Sequence, residues 1–223
     1  MDPAERQRIK ICCIQSIEEL KLAAAYGASA VGLVSEMPSG PGVISEDEIA
    51  FIARRIPPGI ASFLLTSKVD APSIIAQHRR CRTNTIQLVD VVAFEVYDEL
   101  RKELPGIGLV QVIHVRELSS VQDAKRVESY VNALLLDSGN PALATKELGG
   151  TGRTHDWNIS RRIREESTVP VFLAGGLHAG NVARAIAEVR PFGIDVCSGV
   201  RMDGRLDETK LASFFNAVRV AGT

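Results

Sequence analysis

The chain has 223 residues, of which 45% are hydrophobic and 24% are charged, so it has enough apolar side chains for a folded core and lacks the composition of a disordered chain. Its 26 Lys and Arg nearly balance its 27 Asp and Glu, so no overall field draws it to nucleic acid or to an anionic membrane. Four cysteines without C-x-x-C spacing and polar first residues favour a reduced, cytoplasmic protein, and no apolar run approaches the length of about 18 residues that predicts a membrane span.

Short aliphatic segments alternate with amphipathic segments along the chain. The aliphatic segments predict strands at residues 10–14, 30–35, 60–65, 85–88, 108–115, 133–137, 169–173 and 193–197. The amphipathic segments predict helices at residues 17–26, 46–55, 71–80, 92–103, 120–129, 157–166, 179–189 and 207–217. The sequence therefore predicts eight strands, each followed by a helix.

This alternation predicts the fold class. Strands separated by helices need crossover connections, which favour a parallel sheet, and eight such units in 223 residues match the (β/α)8 barrel. The alternative is an open doubly wound sheet, whose first strand is normally followed by G-x-G-x-x-G. Cys12 and Cys13 stand at that place instead. We therefore expect a single (β/α)8 TIM barrel domain over residues 1–223.

Two glycine-containing turns follow the last two predicted strands, at the catalytic face of a barrel. The first contains Gly175 and Gly176, and the second contains Ser198 and Gly199. Glycines let backbone N–H groups approach an anion, and a helix N-terminus after the turn adds a positive dipole. In barrels these two loops commonly hold a phosphate. The sequence therefore predicts a phosphate site, unless the glycines only make tight turns.

Reactive side chains end two other predicted strands. Asp137 follows an apolar run, so burial should raise the pKa of its carboxyl and let it donate a proton near neutral pH; otherwise it only turns the next loop. Cys12 and Cys13 end the first strand, and strand alternation predicts that they face opposite sides. A free cysteine is most often a small buried hydrophobe. Cys81 and Cys197 have no companion that suggests another role.

A glycine-rich segment at residues 148–157 combines a hinge composition with hydroxyl groups and the cation of Arg153. A loop of this kind can close over a ligand, although the composition also suits a flexible connection. The four histidines have neither i, i+4 spacing nor a neighbouring cysteine. No metal site is therefore predicted.

Together these segments resemble the phosphoribosylanthranilate isomerase family over almost the whole chain. The matching segments are Lys10-Ile11-Cys12, Gln87-Leu88, Leu135-Leu136-Asp137, the Gly-Gly-Thr-Gly-Arg-Thr-His-Asp-Trp segment at 149–157, Leu173-Ala174-Gly175-Gly176-Leu177, Asn181-Val182 and Asp195-Val196-Cys197-Ser198-Gly199-Val200. The resemblance implies a (β/α)8 barrel that isomerises an N-linked phosphoribosyl substrate to an aminodeoxyribulose phosphate. In the family this is an Amadori aldose–ketose isomerisation in tryptophan biosynthesis, without a metal or organic cofactor.

The resemblance also implies roles for individual residues. It places the general base at Cys12 and the general acid at Asp137. The implied phosphate-binding residues are Gly175, Gly176, Ser198 and Gly199. The other expected substrate-binding residues are Lys10, Gln87, Gly150 and Arg153; the charge of Lys10 would also favour a Cys12 thiolate. The expected partner is a small-molecule phosphosugar, with no nucleic acid or membrane, and the expected assembly is a monomer or homodimer.

Several positions depart from the family's pattern. Cys13 replaces a glycine, and residues 37–45 lack the arginine that in the family holds the anthranilate carboxylate. Val89 and Asp90 replace a histidine and a glycine, and Gln111 stands where a lysine is expected. Losing a bidentate arginine should cost carboxylate recognition.

These departures leave alternatives open. A replacement cation would come from Arg153, Arg201 or Arg205. The chain would otherwise be a paralogue acting on another phosphosugar, or a barrel that binds a phosphorylated metabolite without turning it over. A lyase or aldolase is a third alternative, for which Lys10 is the one obvious strand-borne lysine.

Overall fold

Eight parallel strands close into a barrel in the computed structural model, which describes residues 7–139, Gly152 and residues 154–221. The strands are β1 (Arg8–Ile11), β2 (Ala30–Val34), β3 (Ala61–Thr66), β4 (Thr85–Leu88), β5 (Gly108–His114), β6 (Ala133–Asp137), β7 (Val171–Leu173) and β8 (Gly193–Val196). Each strand pairs with the next, and β8 pairs with β1, where Ile11 lies opposite Val196. The predicted (β/α)8 barrel is confirmed.

Eight α-helices surround the barrel in the part of the chain that the structure describes. They are α1 (Ile17–Tyr26), α2 (Glu46–Ala53), α3 (Ala71–Cys81), α4 (Phe94–Glu103), α5 (Ser119–Val127), α6 (Trp157–Glu166), α7 (Val182–Val189) and α8 (Glu208–Ala221). Polar side chains cap the N-termini of several helices. At α1 the Ser16 hydroxyl accepts from Glu19 N, and at α2 Ser45 and Glu48 form a reciprocal capping box. None of the helices among the described residues combines the length and the apolar composition that crossing a membrane requires.

Four short elements escaped sequence prediction. Glu128–Tyr130 and Ser198–Val200 are 3-10 helices, and β9 (Arg201–Met202) pairs with β10 (Arg205–Leu206) in a small hairpin. Elements of two or three residues are too short to show a hydrophobic period, which is the signal on which the prediction rests. The hairpin matters because it lies in the loop after β8, at the carboxyl end of the barrel, where it follows the helix Ser198–Val200.

The barrel interior and the layer between barrel and helices form two apolar clusters. Phe63, Leu65 and Phe172 belong to the cluster inside the barrel, whereas Leu64 and Leu173 belong to the one beneath the helices. This division follows from the alternation of strand side chains. It leaves room inside the barrel for a few polar residues near the carboxyl ends of the strands.

Gln111, the residue at which the family's lysine was expected, lies among the polar contacts between β5 and α4. Its buried side chain points out of the barrel, where its amide oxygen accepts from the Tyr97 hydroxyl at 2.6 Å. Its amide nitrogen lies 3.2 Å from Leu88 O and 3.0 Å from Asp90 O. Gln111 therefore joins α4 to the strands and cannot contact a ligand in the barrel mouth.

We expect Tyr97→Phe to lower the free energy of unfolding by about 1–3 kcal/mol, because it leaves the buried Gln111 oxygen without its donor. Urea denaturation measures this loss. Tyr130→Phe is the matched control, since the half-buried Tyr130 ring also packs in this region, against Phe94, and we expect a change within about 0.5 kcal/mol. Equal stabilities of the two variants would contradict the role of the Tyr97 hydroxyl.

Candidate active site

A pocket opens at the carboxyl ends of the strands, and it brings together most of the predicted site residues. Those on its walls are Cys12, Gln87, Asp137, Gly175, Gly176 and Ser198. Gly199 lies directly behind the wall, and Lys10 lies beneath it. Gly150 and Arg153 lie outside the described residues.

Lys10 sits under the pocket floor rather than in it. Its side chain is fully buried, and its Nζ lies 2.9 Å from Asp195 Oδ2. A Cβ at Gly32 would come within 2.8 Å of Cys12 Sγ and 3.1 Å of Lys10 Nζ, so the missing side chain of Gly32 makes room for both. Burial alone would lower the pKa of Lys10, but the Asp195 carboxylate raises it overall. Lys10 therefore contributes a permanent positive charge beside the Cys12 thiol.

The Cys12 thiol has a lowered pKa. The largest cause is a hydrogen bond from the Cys13 thiol to the Cys12 sulfur, and the Lys10 charge adds to it. Together they outweigh burial, which acts in the opposite direction. A thiolate stabilised in this way can accept a proton from a ligand in the pocket.

Cys13 also faces the pocket, so the prediction that the two cysteines point to opposite sides is wrong. Strand β1 ends at Ile11, two residues before Cys13, and Cys13 adopts a left-handed backbone with φ of 64°. This conformation favours glycine, which explains the glycine of the family's pattern. A Cβ at Gly42 would lie 2.4 Å from Cys13 Cβ. Gly42 therefore accommodates the side chain that Cys13 adds.

Cys197 is a companion of Cys13, which corrects the expectation that it has none. Its thiol donates to Cys13, with the two sulfurs 2.7 Å apart, and it also lines the pocket. The residues lie on the loops after β1 and β8, which pairing of those strands brings together. Cys81 lies apart on α3, where burial raises the pKa of its thiol to about 12.

Asp137 ends β6 with its carboxyl buried at the pocket wall. Burial raises the pKa of this carboxyl, although the Ser138 N–H donates to Oδ1 at 2.7 Å and the neighbouring His114 acts in the opposite direction. His114 lies opposite Asp137 in the pairing of β5 with β6. A carboxyl with a raised pKa holds its proton closer to neutral pH and can act as an acid.

His155 is a neighbour of Asp137 that the sequence did not single out. A Cβ at Gly175 would lie 3.1 Å from His155 Nδ1 and 3.2 Å from Asp137 Oδ1. Burial lowers the pKa of His155 to about 4, so the imidazole is neutral at physiological pH. Its Nε2 lies 2.7 Å from Ser160 Oγ on α6. Gly175 thus lets the loops that carry Asp137 and His155 approach each other.

The two glycine turns meet at the pocket rim. Gly175 and Gly176 have φ of 81° and 62°, a region that glycine adopts without strain. A Cβ at Gly199 would lie 2.0 Å from Leu177 O, so this close approach of the two loops requires glycine. Helix α7 begins only at Val182. The positive end of its dipole therefore does not lie at the turn of Gly175 and Gly176, where the sequence predicted a helix N-terminus. The short helix Ser198–Val200 does follow β8 directly.

Comparison with known proteins agrees with this arrangement. The family model described as N-(5'-phosphoribosyl)anthranilate (PRA) isomerase matches residues 9–217. The chain belongs to this family.

Two relatives with the name N-(5'-phosphoribosyl)anthranilate isomerase illustrate the similarity. The protein of Methanocella arvoryzae is 34% identical over 96% of this chain and 98% of its own length. Isomerase 2 of Methanosarcina mazei is 36% identical over 95% of this chain and 94% of its own. A crystal structure of phosphoribosyl anthranilate isomerase in complex with reduced 1-(o-carboxyphenylamino)-1-deoxyribulose 5-phosphate is 26% identical, with a TM-score of 0.79, and covers 96% of this chain and 99% of that one.

Arg201 was one of three candidates to replace the arginine of the phosphoribosylanthranilate isomerase family, but it has another task. Its guanidinium is buried and donates to both carboxylate oxygens of Glu19 at 2.9 Å. It also donates to the backbone oxygens of Cys12 and Cys13. Arg201 therefore fixes the turn that carries these cysteines. Arg205 is exposed in a separate depression beside α1, and Arg153 lies outside the described residues.

The hydrogen bond between the two neighbouring thiols leads to a prediction for Cys13→Gly. Glycine suits the left-handed backbone at this position, so the variant should fold. Removing the donor favours the neutral thiol of Cys12, so its pKa should rise and its alkylation by iodoacetamide should shift to higher pH. Peptide mapping after timed alkylation measures the rate at Cys12 alone.

Cys81→Ala is the control for this experiment, because it also removes one thiol but lies outside the pocket. We expect the alkylation profile of Cys12 to be unchanged in that variant. A Cys12 profile in Cys13→Gly that stays in place, or moves to lower pH, would show that Cys13 does not stabilise the thiolate.

Proposed function

We propose that this chain is an N-(5'-phosphoribosyl)anthranilate isomerase of tryptophan biosynthesis, which forms the aminodeoxyribulose phosphate by an Amadori rearrangement. The observation that carries the proposal is the opposite tuning of two groups in one pocket. The pKa of the Cys12 thiol is lowered and that of the Asp137 carboxyl is raised. Such a pair supplies a base and an acid together.

The chemistry follows from these two protonation states. Asp137 protonates the ribose ring oxygen, so that the furanose opens to an imine. The Cys12 thiolate then removes the proton from C2, which gives an enolamine. This enolamine tautomerises to the ketone. The hydrogen bond from Cys13 and the charge of the buried Lys10 together keep the base ionised.

The remaining wall residues suit the phosphosugar. The backbone N–H groups of Gly176 and Gly199, together with Gly175 and Ser198, would bind the phosphate. The Gln87 amide oxygen is buried in the wall and has no hydrogen-bond partner among the described residues. A buried polar atom without a partner is costly, so a ribose hydroxyl that donates to it would be stabilised there.

The amine side of the pocket differs from the phosphate side. The loop after β2 contributes Met37, Ser39, Gly40 and Pro41, and no Lys or Arg lines the pocket among the residues that the structure describes. The anthranilate carboxylate would therefore meet hydroxyl and backbone donors, unless Arg153 supplies the cation. This wall favours, as a second candidate, a paralogue of the same isomerase chemistry with a different amine-side group.

Complementation distinguishes these functions. Growth of a tryptophan auxotroph that lacks the isomerase would establish the proposed substrate and activity together. Absence of growth would reject that substrate, and a screen of phosphosugars against the purified protein would then separate the paralogue from a barrel that only binds a metabolite. We further propose a single-domain cytoplasmic enzyme, monomeric or homodimeric, that has no membrane or nucleic-acid partner.

Substitution of the acid and the base tests the mechanism. We expect Cys12→Ala and Asp137→Asn each to lower kcat by about 10²- to 10⁴-fold, the usual contribution of a positioned acid or base, while binding of the substrate changes only a few-fold. Steady-state kinetics with N-(5'-phosphoribosyl)anthranilate measures both. Turnover that survives Asp137→Asn would reject Asp137 as the acid.

The pH profile of the same enzymes is the control. The reaction needs Cys12 ionised and Asp137 protonated, so kcat/KM should rise and then fall with pH, and the fall is caused by loss of the Asp137 proton. The descending limb should disappear in Asp137→Asn. A descending limb that persists in this variant would belong to another group.

The phosphate site leads to a prediction for Gly176→Val. A β-branched side chain does not fit the left-handed backbone and blocks the approach of the amide, so we expect KM to rise about tenfold or more, equivalent to a loss of about 1.4 kcal/mol of binding. Gly106→Val imposes the same backbone conflict, at φ of 85°, but outside the pocket. Its KM should stay unchanged. A similar KM in both variants would contradict the phosphate site.

A further inference from the structure

Three thiols stand in a row at the pocket wall, although the proposed reaction uses only one. Cys197 donates to Cys13 with 2.7 Å between the sulfurs, and the Cys13 thiol is the largest cause of the lowered pKa of Cys12. A disulfide bond is about 2.05 Å long, so the first two sulfurs need to approach by less than about 1 Å to bond. We propose that Cys13 and Cys197 are a redox-active thiol pair, which a hydroperoxide oxidises to a disulfide across the seam between β1 and β8.

The barrel holds the pair in place. Lys10 lies opposite Asp195 and Ile11 opposite Val196 in the pairing of β1 with β8, and the Cys12 N–H donates to Val196 O at 2.9 Å. Cys197 follows Val196 directly, and Cys13 follows Cys12, whose N–H continues the pairing of the two strands. The strand ladder therefore fixes the backbone next to both cysteines.

An oxidant can reach the pair from the pocket. All three cysteines line it, and Cys197 is the most exposed of them. Cys81, by contrast, is buried on α3, and its sulfur faces the backbone oxygen of Glu46. Access and proximity thus coincide at Cys197 and Cys13.

The oxidation balances in two steps. The Cys197 sulfur attacks the hydroperoxide, so that an S–O bond forms, the O–O bond breaks, and the thiol proton leaves with the departing oxygen as water or an alcohol. The Cys13 sulfur then attacks the Cys197 sulfenic acid, so that the S–S bond forms and the hydroxyl leaves with the Cys13 proton as water. The two thiols give up two electrons, which reduce the peroxide.

Oxidation would also change the neighbouring base. A disulfide carries no proton, so Cys13 can no longer donate to the Cys12 sulfur, and the thiolate loses its main stabilising contact. The oxidised protein should therefore isomerise its substrate more slowly until a thiol reductant restores the pair. This consequence rests on the proposed isomerase function, whereas formation of the disulfide does not.

The test uses the purified full-length chain, reduced, freed of reductant and treated with an equimolar amount of hydrogen peroxide. We expect intact mass to fall by two hydrogen atoms, and peptide mapping after alkylation to join the peptides of Cys13 and Cys197. Turnover should fall at least tenfold and return after dithiothreitol. In Cys81→Ala the same results should appear.

Two further variants keep the outcome decisive. Cys13→Gly, which suits its backbone, and Cys197→Ser should form no cross-link, and neither should show the reversible loss of turnover. A cross-link between Cys12 and Cys13, or peroxide that leaves all four thiols free to alkylate, would overturn the proposal. A cross-linked protein whose reduced form has no isomerase activity would instead reject the proposed function and leave the thiol pair intact.

Discussion

The buried ion pair between Lys10 and Asp195 is the constraint around which the site is arranged. The two residues lie opposite each other where β1 meets β8 and closes the barrel. Taking both charges out of water is costly, and removing one partner of such a pair typically costs about 3–5 kcal/mol because the other charge is then left uncompensated. The pair therefore ties the closure of the barrel to the presence of a positive charge under the pocket.

The positive charge of Lys10 contributes to the lowered pKa of the Cys12 thiol in the pocket. Cys12 and Lys10 both project into the space that Gly32 leaves free on β2, so the thiol sits beside an ammonium group that has no solvent to screen it. Arg201 fixes the same turn from the other side, through its bonds to Glu19 and to the backbone oxygens of the cysteines. The Cys12 thiol thus lies between two cations: the Lys10 charge acts on its pKa, and Arg201 fixes its backbone.

Two departures from the family's pattern are physically linked. The side chain of Cys13 occupies the space beside Gly42, where even a Cβ would come within 2.4 Å of it. Gly42 belongs to the loop in which the family carries its arginine. A cysteine at position 13 therefore requires glycine at position 42, in the same loop that lacks the family's cation.

The sequence predicted the strands and helices whose hydrophobic pattern is regular. It also predicted several residues that line the pocket, because they belong to motifs of the family. Strands β4 and β6 and helices α1 and α6 begin and end where their hydrophobic patterns do. The sequence failed where a side chain's direction depends on backbone or tertiary detail. Cys13 lies beyond the end of β1 in a left-handed conformation that alternation does not describe.

Other failures came from contacts between distant parts of the chain. Cys197 contacts Cys13 although the two are 184 residues apart in the sequence. No local sequence pattern indicates a contact between residues so far apart. Gln111 stands at a position of the family's pattern, and that position does not show that the alternation of β5 turns its side chain toward Tyr97. The ion pair between Arg201 and Glu19 depends on a hairpin whose strands have only two residues each. Strands of that length show no hydrophobic period in the sequence.

The state of Lys10 also decides between two kinds of carbonyl chemistry. A lyase or aldolase of the Schiff-base type needs a neutral lysine amine that reaches the substrate carbonyl. Here the side chain is fully buried beneath the pocket floor, and the Asp195 carboxylate raises its pKa, so the amine stays protonated. A protonated amine has no lone pair for attack, but its field stabilises the thiolate beside it. The ion pair that rules out a nucleophilic lysine therefore also keeps a positive charge beside Cys12, which adds to the hydrogen bond from the Cys13 thiol in lowering the pKa of Cys12.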